Sequence, residues 1–321
     1  MRAIVQNKFG DADVLFLTDT RVPEIKENEV LIKTVYTSVN YADIKKRKGF
    51  KGSCDFPLTL GLDAAGTIEV AGSKSSFSKG DRVIAFPTGG SYAEFVKANK
   101  HLVFKIPDQL TFEQAATMPT VSILSYILFH EIGQVKETDT IVIHSAAGGV
   151  GSMLLQLAKL YGAKKVIATI GSFQKEEYVK GLGADVVCTY DTFKEEVLKH
   201  SNDLGANVIF DSVAGEITSR SLDCLALYGT LVQFGNSSGK PGSFKTSDVH
   251  SSCRNVKGFS LGTTRKYKPE LLAPIAEEVI NLFASKKLHL PIEKVFDLSE
   301  ASSAHQLIES RNYEGKVLIE I

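Results

Sequence analysis

Ile141-Val142-Ile143-His144-Ser145-Ala146-Ala147-Gly148-Gly149-Val150-Gly151-Ser152 joins a run of β-branched residues to a glycine-rich turn, and Met153-Leu154-Leu155-Gln156-Leu157-Ala158 continues it as an apolar helix. A buried strand, a tight glycine turn and a helix, in that order, are the setting in which a GxGxxG-type motif carries meaning. Laid on that pattern, Ala146 replaces the first glycine, Gly148 lets the backbone approach a pyrophosphate, and Gly151 permits close packing of helix on strand. The free amides and the dipole at the helix start favour an anion there. A ligand-free βα turn is the plainer reading of the glycines alone; the flanking strand and helix tip the balance toward dinucleotide binding.

Outward from this turn, strands and helices alternate: helix 152–161, strand 165–170, helix 174–181, strand 186–190, then strands at 208–211 and 230–234. Continuous apolar strands separated by helices mark a parallel, doubly wound sheet. Upstream the texture differs. Short β-rich runs at 30–36, 65–70, 82–86 and 92–96 are separated by Gly, Pro, Asp and Lys, with little helical periodicity, which predicts a mostly antiparallel β domain. Thr111-Phe112-Glu113-Gln114 has the spacing of a capping box ahead of an apolar helix over 115–129. Downstream, helices at 270–285 and 300–310 and strands at 294–298 and 316–321 form a tail that is expected to rejoin the first domain.

At 321 residues the chain exceeds what one hydrophobic core usually supports, so two domains are expected. Lys plus Arg and Asp plus Glu are equal at 37 each, which removes the electrostatic reason to expect nucleic acid or an anionic membrane as partner; a small molecule fits better. Cys54, Cys188, Cys224 and Cys253 lie far apart with no CxxC pair, so they read as free thiols. No signal-peptide pattern opens the sequence and no apolar run approaches the roughly 20 residues of a membrane span, so a soluble cytoplasmic protein is expected.

The second strand distinguishes the two nicotinamide dinucleotides. An NAD site usually carries an acid at its end to hold the ribose hydroxyls. Here it ends Ala168-Thr169-Ile170-Gly171-Ser172-Phe173-Gln174-Lys175, with no acid before Glu176. A carboxylate would repel a 2′-phosphate, whereas Ser172 and Lys175 are donors to it, so NADPH is favoured. A solvated charge on a first helical turn is the plainer reading of Lys175.

These residues, with Val39-Asn40-Tyr41-Ala42-Asp43, Gly61-Leu62-Asp63-Ala64-Ala65-Gly66, Gly80-Asp81-Arg82-Val83, Asp211-Ser212-Val213-Ala214-Gly215, Phe234-Gly235-Asn236-Ser237-Ser238-Gly239 and Glu309-Ser310-Arg311, resemble the medium-chain dehydrogenase/reductase superfamily over nearly the full length. The resemblance is to its zinc-independent quinone oxidoreductase (zeta-crystallin-like) branch. It implies a GroES-like β-rich catalytic domain built from residues 1–122 and 261–321, a Rossmann NADPH-binding domain over 123–260, an active site in the cleft, and a homodimer joined through the Rossmann sheets. By position, Asn40 would lie beside the nicotinamide and ribose, and Gly148, Gly149 and Val150 would cover the pyrophosphate. Gly171, Ser172, Lys175 and Tyr190 would hold the 2′-phosphate, Phe234, Gly235, Asn236 and Ser237 would line the nicotinamide side, and Arg311 would add a contact from the tail. Plainer readings stand beside these: Asn40 as a turn former, Tyr190 as core, 234–239 as an ordinary strand-ending loop.

The sequence departs from the branch at two places. Lys45 stands where a tyrosine is common, and Leu124-Ser125 replaces a threonine-alanine pair; Phe50 offers an aromatic wall and Ser125 a hydroxyl in exchange. Zinc alcohol dehydrogenases place a cysteine where this chain has Asn40 and a His-Glu pair where it has Leu62-Asp63, so no catalytic metal is expected. His144, at a strand end, reads as a satisfied near-core residue. The expected reaction is hydride transfer from NADPH to a quinone or similar conjugated carbonyl, with Asn40 and Lys45 polarising the acceptor oxygen and Ser125 as a supporting hydroxyl. Two alternatives share the cofactor turn: an enoyl thioester or enone reductase, and a non-catalytic NADPH-binding structural or RNA-binding protein. The zero net charge argues against RNA.

Overall fold

The computed structural model describes residues Met1–Ile321 and divides them into two compact units, Met1–Ile123 with Thr263–Ile321, and Leu124–Gly262. In chain order the strands are β1 (Arg2–Val5), β2 (Phe16–Asp19), β3 (Glu29–Ser38), β4 (Ala64–Ala71), β5 (Arg82–Ala85), β6 (Phe95–Asn99) and β7 (Val103–Lys105). They continue with β8 (Thr140–Ile143), β9 (Lys165–Ile170), β10 (Val186–Thr189), β11 (Ala206–Asp211), β12 (Leu225–Gln233), β13 (Asn255–Gly258), β14 (Ile292–Asp297) and β15 (Lys316–Glu320).

The first unit is built on a seven-stranded sheet, order β14-β15-β3-β4-β5-β7, with β6 also pairing β3. Every pairing in it is antiparallel except β14 with β15. The tail enters this sheet where β15 lies beside β3, matching Leu318 to Ser38 and Glu320 to Tyr36. Alternation along the strands fills two cores. One gathers Val30, Ile32, Ile68, Val83 and Val96; the other gathers Ile4, Val39, Ile44, Leu60, Tyr92, Ala304, Val317 and Ile319.

The second unit is a six-stranded parallel sheet of order β10-β9-β8-β11-β12-β13. All four residues of β8 are buried, and the helix Gly149–Leu160 buries every residue from Gly151 to Ala158. Such strands are covered on both faces, which explains their unbroken apolar sequences.

The structure redraws several sequence expectations. The helix read over 115–129 is three pieces, Phe112–Ala116, Pro119–Tyr126 and a π-helical segment Ile127–Ile132. Pro119 has no N–H to continue the first helix and instead opens the next. The capping box is present: Thr111 Oγ1 accepts from the Gln114 N–H at 3.2 Å, and Gln114 Oε1 accepts from the Thr111 N–H at 3.1 Å. The strand expected at 92–96 shifts to Phe95–Asn99, because Tyr92 turns into the core. Helix Tyr41–Arg47, unseen in the sequence reading, follows β3 directly.

Candidate functional site

In the second unit, chain order runs outward in opposite directions from β8 and β11, so the loops after these neighbours diverge. Open α/β sheets bind their ligands at such a switch point, beyond the carboxyl ends of the strands. The turn after β8 is tight. Ser145 has φ 53°, its N–H donates to Tyr190 Oη at 2.9 Å, and its Oγ lies 3.1 Å from the same hydroxyl. The Ala146 N–H donates to Thr169 O at 3.0 Å, tying the turn to β9. A Cβ on Gly151 would fall 2.5 Å from Ser145 O and 2.6 Å from both Cα and O of Ala146, so only glycine lets the helix start this close.

Gly148 precedes helix Gly149–Leu160 and gives it no side-chain cap. The first-turn amides therefore lack both intrahelical acceptors and a capping oxygen, and the dipole adds partial positive charge. Gly149 and Val150 are half-buried at this end. Ser125 is fully buried and its Oγ donates to Val150 O at 3.1 Å, so the structure puts this hydroxyl on the helix start.

Beyond β9, Gly171 and Ser172 are exposed, and a Cβ on Gly171 would meet nothing within 4 Å. Ser172 Oγ accepts the Gln174 N–H at 3.3 Å and opens the 3-10 turn Phe173–Lys175, where Lys175 is half-buried. The first acid, Glu176, is paired with Lys180 at 2.7 Å. Tyr190, just past β10, braces the β8 turn through its hydroxyl, a role the sequence reading did not give it.

Phe234, Gly235, Asn236 and Ser237 follow β12 and are half-buried. They lie against the loop after β11: the Phe234 N–H donates to Asp211 O at 3.1 Å, the Ser237 N–H to Ser212 O at 3.0 Å, and a Cβ on Gly235 would meet Ser212 O at 2.8 Å. Asp211 is fully buried and holds its own loop, accepting from the Val213 N–H (2.7 Å), the Ala214 N–H (2.9 Å) and Thr218 Oγ1 (2.7 Å). His144 is buried with Nδ1 3.2 Å from Thr169 Oγ1 and Nε2 2.9 Å from Ser221 Oγ. Burial pulls its pKa down to about 4, the behaviour of a neutral, satisfied core imidazole.

In the first unit Asn40 sits between β3 and helix Tyr41–Arg47, 7% exposed, with both ends of its amide engaged. Nδ2 donates to Asp63 Oδ2 at 2.7 Å, and Oδ1 accepts from Lys316 Nζ at 2.9 Å. Asp63 also accepts from Ser38 Oγ and Thr120 Oγ1. Asp43 takes the Asn40 N–H at 2.9 Å and the Tyr92 hydroxyl at 3.5 Å; burial raises its carboxyl to about 6. From Tyr92 the network continues to His305 Nε2 at 3.0 Å, from His305 Nδ1 to Arg47 at 3.1 Å, and from Arg47 to Glu309 at 2.8 Å. Arg47 can only donate, so His305 Nδ1 accepts and Nε2 carries the proton toward Tyr92. Burial, then the Arg47 charge, hold His305 down at about 3.

Lys45, Phe50 and Arg311 come together around one concavity of about 190 Å³, with Tyr41, Ile44, Lys48 and Glu309. Arg311 ends helix Ala301–Ser310 in the left-handed region at φ 58°. As site residues the sequence reading missed Lys316, Tyr92 and His305, and it used Asp63 as part of a family motif and as a lost metal ligand. Their one signal is polarity inside apolar runs, as in Lys316-Val317-Leu318-Ile319.

Residues 26–108 match the family described as "Alcohol dehydrogenase GroES-like domain" and residues 149–277 the family described as "Zinc-binding dehydrogenase". A probable quinone oxidoreductase of Schizosaccharomyces pombe is 31% identical over 318 residues, covering 98% of this chain and 95% of its own. Quinone oxidoreductase 1 of Escherichia coli is 31% identical over 327 residues, covering 98% and 97%. The solved structure of Escherichia coli quinone oxidoreductase complexed with NADPH superposes over both whole chains with TM-score 0.93 at 29% identity. The chain belongs to the medium-chain dehydrogenase/reductase superfamily, in its quinone oxidoreductase branch. The zinc of one family description does not fit here: Asn40 and Asp63 are bonded to each other, and no group of three or more His, Cys, Asp or Glu is placed to hold a metal.

Proposed function

We propose that the protein is an NADPH-dependent reductase that delivers hydride to a quinone or a similar conjugated carbonyl. The observation that carries this reading is the uncapped start of helix Gly149–Leu160, drawn against the β8 turn by Gly151. Its amides fit a pyrophosphate, the open space at Gly171 and the donors Ser172 and Lys175 fit a 2′-phosphate, and Glu176 is occupied by Lys180. When bound, NADPH supplies the hydride; a proton from solvent completes the hydroquinone, so quinone, NADPH and H⁺ give hydroquinone and NADP⁺.

The chain's own residues orient and polarise. Gly148, Gly149 and Val150 receive the pyrophosphate, Phe234 to Ser237 border the nicotinamide, and Arg311 adds a cationic contact. Asn40 meets the nicotinamide end, Lys45 draws negative charge on the acceptor oxygen, and Ser125 supports the turn through Val150. The acceptor is a small molecule. The reading extends to a cytosolic homodimer: two of four free cysteines are buried, and β13 pairs only with β12 within the chain, leaving an edge for a second copy. No helix is long and apolar enough to cross a membrane.

The test follows nicotinamide absorbance with NADPH and NADH against 1,4-benzoquinone, 9,10-phenanthrenequinone, an enone and crotonyl-CoA. NADPH-dependent quinone turnover supports the proposal. Faster crotonyl-CoA turnover would replace it with an enoyl reductase, and NADPH binding without any turnover would replace it with a non-catalytic role.

A further inference from the structure

Lys316 opens β15 and is 4% exposed, so its ammonium is held inside the first unit. Burial is costly for an ammonium unless its donors are matched, and direct pairing with a carboxylate is the usual remedy. That pairing is absent here. Lys316 Nζ donates to Asn40 Oδ1 at 2.9 Å and to Val39 O at 3.2 Å; of the two carboxylates whose charge it feels, Asp63 and Asp43, Asp63 accepts from the other end of the Asn40 amide. Carboxylate, amide and ammonium stand in a row, with the amide dipole aligned between opposite charges. Reversing the amide would set its N–H groups against the ammonium and its oxygen against the carboxylate, so one orientation is strongly selected. Burial pulls the Lys316 pKa down, while Asp63 and Asp43 pull it back up.

We propose that Lys316 is a positioning residue for hydride transfer, fixing the Asn40 amide in one orientation from behind through a charge-assisted hydrogen bond. This rests on the reading above that Asn40 meets the nicotinamide end. Lys316, 4% exposed, acts through the Asn40 amide. Its connection to the site is the strand it begins: β15 arrives from the far end of the sequence and pairs with β3, which delivers Asn40.

The experiment is a double-mutant cycle of Asn40→Ala and Lys316→Met on the full-length protein, read as kcat with NADPH and a quinone. Thermal melts confirm folding. Lys316→Met is expected to lower kcat about ten- to hundredfold, the factor for one charge-assisted hydrogen bond, and to cost nothing further in the Asn40→Ala background. Lys316→Arg is expected to recover part of the loss. A merely structural lysine would add its cost in either background. The second readout needs no turnover: the side-chain amide resonance of Asn40, assigned by its disappearance in Asn40→Ala, is expected to shift and exchange faster in Lys316→Met or, should that variant not fold, in Lys316→Gln. An impaired Asn40→Ala beside a fully active Lys316→Met, additive losses, or an unmoved amide resonance overturns the inference alone. An Asn40→Ala enzyme with unchanged turnover overturns the reading of Asn40 and this inference with it.

Discussion

Replacing Gly151 by alanine adds one methyl group to the tightest point of the β8 turn. The new Cβ would lie 2.5 Å from Ser145 O and 2.6 Å from the Cα and O of Ala146. All three are backbone atoms, held by hydrogen bonds to Tyr190 and Thr169, so no flexible side chain gives way. Overpacking against such a neighbour costs about 1–3 kcal/mol, which lowers Tm by roughly 2–4 °C per kcal/mol in a unit of this size. The relaxation that remains available moves the helix start off the turn, so the amides of Gly149 and Val150 no longer converge on one point. NADPH affinity is expected to fall about tenfold for each 1.4 kcal/mol of lost contact. Gly181→Ala is the matched control, because its Cβ meets nothing within 4 Å and the residue lies inside helix Glu176–Leu182. Removing glycine there should raise stability by about 0.5–1 kcal/mol and leave NADPH binding alone. Thermal melts and fluorescence titration with NADPH decide it. A Gly151→Ala protein that melts and binds like the parent refutes the reasoning, as does a Gly181→Ala protein that loses as much.

Lys175→Ala should raise KM for NADPH about ten- to hundredfold and leave KM for NADH near its starting value, since a charge-assisted bond to phosphate is worth about 1.5–3 kcal/mol; equal changes for both cofactors would remove Lys175 from the phosphate site. Acid should destabilise the fold. Unfolded histidines take up protons below 6.5, whereas His144 waits until about 4 and His305 until about 3, so their stabilising contribution is complete above pH 6.5 and is lost as pH falls toward 4. Asp43, raised from 3.8 to about 6, works in the opposite direction over that window, one group against two. Tm measured from pH 7 to 4.5 should therefore decline, and His305→Gln should flatten the slope; a level profile in the parent would contradict the assignment. A thiol reagent should label Cys253 and Cys54 in the native protein but spare Cys188 and Cys224, which are buried and whose thiols burial pushes up to about 11 and about 12. Four thiols titrating at once without denaturant would speak against that burial.

The sequence by itself determined five strands of the parallel sheet and the glycine turn after β8, while the sixth strand, β13, was not read from it. Strand, glycines and helix are contiguous over 140–160, and local chemistry dictates each: an apolar run buried on both faces, a glycine at 151 where no Cβ fits, an apolar helix buried from Gly151 to Ala158. The missing acid after β9 is equally local, so cofactor preference was legible as well. Helix Tyr41–Arg47 was not, because it spans only two turns, is rich in Lys and Arg, and buries Arg47 against a histidine far along the chain. Ser125 read as a supporting hydroxyl, and its partner, Val150 O at 3.1 Å, is one that no local pattern names. The setting of Asn40 was beyond sequence reasoning for the same cause. Its amide is bonded to Asp63, 23 residues away, and to Lys316, 276 residues away; pairing of β4 with β3 bridges the first separation, and the second is bridged only when β15 closes the sheet beside β3. Periodicity and turn chemistry act over a few residues; which buried charge meets which amide is settled by tertiary packing alone.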